Sequence, residues 1–198
     1  MTPLQELHGR IAACMDCPLG RPESETFHRV PGEGPEDARV MIVGEAPGAE
    51  EERTGRPFVG RSGNLLTEIL TAAGLKREEI FITSVCKCRP PQNRTPKRAE
   101  MAACLPWLTA QIDVIRPEVV LTVGNVGTQT LLNTKTGINA LRGRFHEFTL
   151  AGRTMTLRPL FHPAYLLRNP RRVPGSPWEM MLNDLIEVRQ LLDTNTNR

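Results

Sequence analysis

Three groups of residues in this 198-residue chain are of types that do chemistry. The first lies in residues 41–60, MIVGEAPGAEEERTGRPFVG. Here Glu45, Glu50, Glu51, Glu52 and Phe58 are set among Gly44, Gly48, Gly55 and Gly60. A strand running into such a loop puts side chains at the carboxyl edge of a sheet, where ligands bind in open α/β sheets, although the same residues would also make an ordinary solvated linker. Neither G-x-G-x-x-G nor a P-loop lysine is present, so the loop is not a nucleotide fingerprint. The second is His162, ahead of Pro163 and behind the apolar residues Leu160 and Phe161. A lone histidine before proline is more often structural than catalytic, so its neighbours decide its meaning. The third is the set of five cysteines. Cys14 and Cys17 form C-x-x-C before Pro18, and Cys86, Cys88 and Cys104 lie in the middle third. Two close cysteines and two distant ones make a four-thiolate site for zinc or an iron–sulphur cluster. The 88-to-104 spacing is too wide for a compact zinc knuckle, so the fold must bring the N-terminus against the middle of the chain. Either Cys86 or Cys88 is surplus to such a site.

Composition bounds these readings. With 39% hydrophobic and 24% charged residues the chain is of globular type, long enough for one domain with a substantial core. No run has the apolar length of a membrane span, and the first ten residues hold no secretory hydrophobic region. A cytoplasmic monomer is therefore expected, in a compartment where disulfides are rare. The net charge of +3 says less than its distribution. Residues 86–99 carry Lys87, Arg89, Arg94, Lys97 and Arg98 and no acid, and residues 142–172 carry seven arginines against Glu147 alone. Two basic stretches predict a cationic face for a polyanion.

The elements that must position these groups follow from periodicity. Residues 2–13 read as a short helix leading into the cysteine pair, and 19–37 as a loop. Buried strands are predicted at 39–43, 80–85 and 119–123, and 144–150 with 153–160 as a hairpin or final strand pair. Helices are predicted at 62–73, 97–116 (with Pro106 marking a fresh start), from after 124–125 to about 133, and 177–192. Pro47 and Gly48 forbid an immediate helix after the first strand. Residues 89–96 hold three prolines and must be extended or irregular. Residues 193–198 alone look frayed. Strands alternating with helices imply one domain over 1–198, a small parallel sheet with helices on both faces. Right-handed connections bring the carboxyl ends of the strands to one side. Residues 44–60, 84–93, 124–125 and 162–169 would then share one crevice, holding acids, a histidine and an aromatic ring inside a basic rim.

GEAPGAEEERTGRPFVGRSGNLL (44–66), KCRPPQNRTP (87–96) and HPAYLLRNP (162–170), with C-x-x-C near the start, closely resemble the iron–sulphur uracil-DNA glycosylases of family 4. The resemblance covers about residues 7–190. It implies an α/β fold, a three-layer α/β/α sandwich with a small, mainly parallel four-stranded sheet. The implied activity is DNA repair: flipping uracil out of single- or double-stranded DNA and hydrolysing its N-glycosidic bond. The resemblance also implies a [4Fe–4S] cluster on Cys14, Cys17, Cys88 and Cys104, with Cys86 where an aliphatic residue is usual. The backbone of Gly44, Glu45 and Ala46 and the ring of His162 would donate to the base oxygens as charge develops on the base. Phe58 would stack on the flipped ring. Glu45 or Glu51 would orient water or the cationic sugar. Leu166 would fill the hole left in the base stack, and Arg168 with the 87–98 stretch, Arg89 and Arg94 included, would hold phosphates.

One departure stands out. Ser84 occupies the position where the family has an Asn that reads the uracil edge, and a hydroxyl offers one donor where an amide offers donor and acceptor together. A uracil- or DNA-binding member with weakened rate or altered base specificity is therefore a second reading. A metal-bearing hydrolase of another small substrate is a third, since fold alone does not fix function. Residues 89–96 contain no histidine, against the covalent capture of the uracil-crosslinking branch.

Overall fold

The structure, a computed structural model, describes residues 1–20, 28–150 and 152–196. Its centre is a sheet whose strands alternate their side chains between two apolar layers. Strand β1 (Val40–Gly44), β2 (Ile80–Ser84) and β3 (Val119–Val123) are buried along their whole lengths. Val40, Ile42, Ile80, Ile82, Val119 and Leu121 face one layer, while Met41, Val43, Phe81 and Val120 face the other. Both faces being apolar, both must be covered, which is the requirement of a parallel sheet with helices on each side.

The sheet has five strands in the order β2-β1-β3-β5-β4, with β4 spanning His146–Leu150 and β5 spanning Arg153–Leu160. Four strands are mutually parallel, and β4 runs antiparallel on β5. The expected four-stranded sheet is thus one strand short. The predicted hairpin folds back and adds β4 to the free edge of β5.

Helix α1 (Pro3–Ala12) is started by a capping box between Thr2 and Gln5 and packs on α4 (Arg98–Ile115) against one face. Helices α3 (Arg61–Ala72), α7 (Pro163–Arg168) and α8 (Pro177–Thr196) cover the other through Leu65, Ile69, Leu166, Met181 and Leu185. Helix α5 (Gly124–Leu131) packs against β1, β3 and β5, and α6 (Ile138–Leu141) against α5 and β5.

Three expectations are corrected. A helix, α2 (Ala49–Thr54), does follow Pro47-Gly48; the breakers delay it until Gly48 can serve as N-cap. Three acids in its first turn then suit the helix dipole. Pro106 starts nothing: α4 carries it in its interior, giving up one backbone hydrogen bond. The predicted fraying from 193 is overtaken by α8, which continues to Thr196, with Asp193 paired to Arg189 and the Asn195 amide donating to Glu118. Residues 197–198, and 21–27 of the predicted N-terminal loop, lie outside the described residues. No described helix is long and apolar enough to cross a membrane.

Candidate active site

Gly44 ends β1 and Ser84 ends β2, and the two are paired across the ladder. They open into a cavity of about 600 Å³ at the carboxyl edge of the sheet, bordered also by Glu45, Ala46, Phe58, His162 and Arg168. Residues from three predicted segments therefore do meet. Gly44 is required by close approach. A Cβ there would lie 2.7 Å from Cζ of Phe58 and 3.1 Å from Oγ of Ser84. The Phe58 backbone is held at φ 50°, a left-handed conformation costly for a residue with a side chain. It is buttressed by Gly63 of α3, whose absent Cβ would sit 1.8 Å from the Phe58 carbonyl oxygen. Arg77 donates to the Pro57 carbonyl at 2.7 Å. The ring thus forms one wall, with the His162 ring 6.4 Å away and tilted by 37°.

His162 follows β5 and is the N-cap of α7. Its Nδ1 accepts from the Ala164 N–H at 3.1 Å. Burial, and then the charge of Arg168, lower its pKa, so the ring is neutral near pH 7. With Nδ1 an acceptor, the one ring proton resides on Nε2, and the ring is an N–H donor. The two acids differ in kind. Burial raises the pKa of Glu45, with a hydrogen bond from Thr95 opposing it. Glu51 is committed to the backbone: one oxygen accepts from Val59 and Gly60 at 2.9 and 3.0 Å, the other from Gly48 at 3.1 Å. Those bonds tie α2 to the segment that carries Phe58.

Other expected residues are placed differently. Leu166 is 2% exposed and packed in the core beneath α7, so it cannot enter a base stack from this position. Tyr165, beside it, is exposed instead. Lys87 is 1% exposed and not available to a phosphate. Arg89 pairs with Glu52 of α2, and Arg94 makes a two-pronged pair with Glu100 of α4. The basic stretch without acids thus acquires them from other elements. Arg168 is exposed on the cavity rim with no described ion pair. Asn93 also borders the cavity, with φ 56° and its Oδ1 accepting from Arg89 at 2.7 Å. The proline-rich loop that carries it folds inward.

The fold brings Cys14 and Cys17 to Cys88 and Cys104, all four lining one small void together with Lys87, Arg29 and Trp107. Cys86 is buried and lies outside that lining, although it contacts Cys104. Two sulfurs already receive N–H donors: Trp107 Nε1 on Cys14 at 3.3 Å and the Lys87 amide on Cys104 at 3.2 Å. Among the described residues no three side chains stand at the spacing of a single metal ion. Four thiols on one void match the donor number of a four-cysteine site. The site also supplies the cations and amide donors that thiolate ligands need.

The model of the uracil DNA glycosylase superfamily matches residues 31–186. A type-4 uracil-DNA glycosylase of Thermotoga maritima is 45% identical, with 81% of each chain covered. One from Pyrobaculum aerophilum is 43% identical, over 84% of this chain and 86% of its own. One from Saccharolobus solfataricus is 41% identical, over 86% and 80%.

Proposed function

This chain belongs to the uracil DNA glycosylase superfamily, and we propose that it excises uracil from DNA by hydrolysing the bond between the base and deoxyribose. The observation that carries this reading is the donor at His162: a neutral, half-buried ring with its proton on Nε2, across a cavity from Phe58 and beside Ser84 and the end of β1. Cleavage of the C1′–N1 bond leaves both bonding electrons on uracil and cationic character on the sugar. Water then adds to C1′, losing a proton, to leave an abasic site. A preoriented donor near the base oxygens stabilises the charge as it forms. A neutral donor does this without first binding the base as an ion pair, so its benefit grows along the reaction.

Phe58 stacks on the flipped base, and its strained backbone is fixed before substrate arrives. Glu45, raised in basicity by burial, is the carboxylate assigned to water or to the cationic sugar. Glu51 serves as the clamp for this loop. Arg168 contacts phosphate, giving binding a steep salt dependence. Single-turnover excision on a uracil-containing strand tests the reading. His162→Ala should lose on the order of a hundredfold in rate, the usual result of deleting one such donor, while its circular dichroism stays native. A near-normal rate in that variant would remove His162 from the chemistry.

Cys14, Cys17, Cys88 and Cys104 are proposed to hold a [4Fe–4S] cluster, whose contribution is to tie the N-terminal arm to the segment after β2. Protein purified without oxygen should carry about four irons per chain. Stoichiometric zinc would replace this assignment.

A further inference from the structure

Lys87 is fully buried, and neither uracil excision nor phosphate binding uses it. Its ammonium has all three protons placed: on Ser84 O at 2.6 Å, Thr83 Oγ1 at 2.7 Å and Gln111 Oε1 at 2.7 Å. None of these acceptors is charged, and no described carboxylate pairs with it. A buried ammonium without an anion is costly. Lys87 also borders the void that the four cysteines line. The same residue donates its main-chain N–H to the Cys104 sulfur.

The residues on either side make the placement consequential. The Val85 and Cys86 amides donate to the Gly44 and Glu45 carbonyls at 3.0 Å each, beneath the proposed uracil site. Ser84, whose carbonyl the ammonium holds, borders the cavity. Lys87 therefore grips the cysteine site with its backbone and the pocket floor with its side chain. We infer that Lys87 is a positioning residue, the link that makes the end of β2 depend on what the four-cysteine site holds. This inference rests on the glycosylase and cluster readings above, and assigns the cluster a consequence at the pocket in addition to fastening the N-terminal arm.

The test uses full-length protein purified with its iron, as wild type and Lys87→Met. Three quantities are read: iron content, amide exchange at Val85 and Cys86, and affinity for DNA carrying a non-cleavable uracil nucleotide. In wild type, chelating the iron should raise exchange at both amides and weaken uracil-DNA binding by about tenfold, the size of an ordinary coupling between sites. In Lys87→Met that still carries iron, exchange should already be raised and affinity already weakened, and chelation should add little to either. Should Lys87→Met not fold, Gln111→Leu, which removes one acceptor of the ammonium and leaves residues 84–88 intact, takes the same comparison. Equal responses to chelation in wild type and variant, or wild-type exchange and affinity in Lys87→Met, overturn the link. Wild type lacking iron overturns it at the cluster; wild type that holds iron and binds uracil-DNA but leaves uracil in place overturns the glycosylase reading alone.

Discussion

Ser84 stands where the resemblance leads one to expect an Asn, and its neighbours define the consequence. It is 6% exposed, at the cavity wall beside the Phe58 ring. A single hydroxyl cannot present a paired donor and acceptor to the base, so less buried polar surface goes unpaired when cytosine replaces uracil. The cavity has room ahead of Ser84. Ser84→Asn is therefore expected to raise the single-turnover rate on uracil or leave it unchanged, while excision from cytosine-containing DNA stays at background. A loss of tenfold or more would mean that the pocket is built around serine. What could be read at this scale depended on locality. Glu45, Phe58 and His162 stood out by type and neighbourhood, and the fold brings them to one cavity. Leu166 misled because its side chain faces the core, and which side of a two-turn helix is buried depends on α3 and α8, remote in the chain. Lys87 misled likewise, its neighbours being basic while its partners come from β2 and α4.

At the level of elements, the site depends on how closely α3 approaches the loop that carries Phe58. Gly63 permits that approach in the first turn of α3. An added Cβ would overlap the Phe58 carbonyl at 1.8 Å and its carbon at 2.1 Å, and both obstacles are backbone. Gly63→Ala should therefore destabilise by about 1–3 kcal/mol or more, as overpacking does, and weaken binding of uracil-DNA by displacing the ring. Gly9→Ala is the control: nothing lies within 4 Å of its Cβ, in an exposed stretch of α1. There the gain in helix propensity should stabilise by about 0.5–1 kcal/mol. Chemical denaturation of the two variants reads both signs, and equal shifts would refute the steric argument. Periodicity located the long helices and buried strands, since a face packed over several turns or residues repeats. It missed α2, a six-residue helix with no buried residue, which is held by the Glu51 side chain rather than by an apolar stripe. It could not say that α4 runs through Pro106, because packing over eighteen residues outweighs one lost hydrogen bond.

The whole molecule is held at the β5 side by a buried ionic network that no local pattern announced. Arg158 of β5 and Asp184 of α8 are each about 1% exposed and meet at 2.6 Å. Arg142, after α6, donates to the other oxygen of Asp184 and to the Met180 carbonyl at 3.0 Å. It also lies 5.0 Å over the ring of Phe161, next to His162. One carboxylate thus joins the last helix, the last parallel strand and the approach to the pocket. These arginines were part of a basic stretch predicted to face a polyanion, and the fold turns two of them inward. Removing Asp184 leaves Arg158 buried with the half-exposed Glu187 as its remaining described carboxylate, at 2.9 Å. Breaking such a pair from one side typically costs about 3–5 kcal/mol, because the remaining charge keeps its desolvation penalty. For a chain of this length each kcal/mol moves the melting temperature by about 2–4 °C. Asp184→Ala should therefore melt roughly 10 °C below wild type. Arg142→Met, which takes away the less buried cation and leaves the Arg158–Asp184 pair whole, should lose less than half of that. Calorimetry on both variants separates the cases. Equal melting shifts would mean that Asp184 acts through Arg142 alone, and that the buried pair with Arg158 contributes nothing to holding β5 against α8.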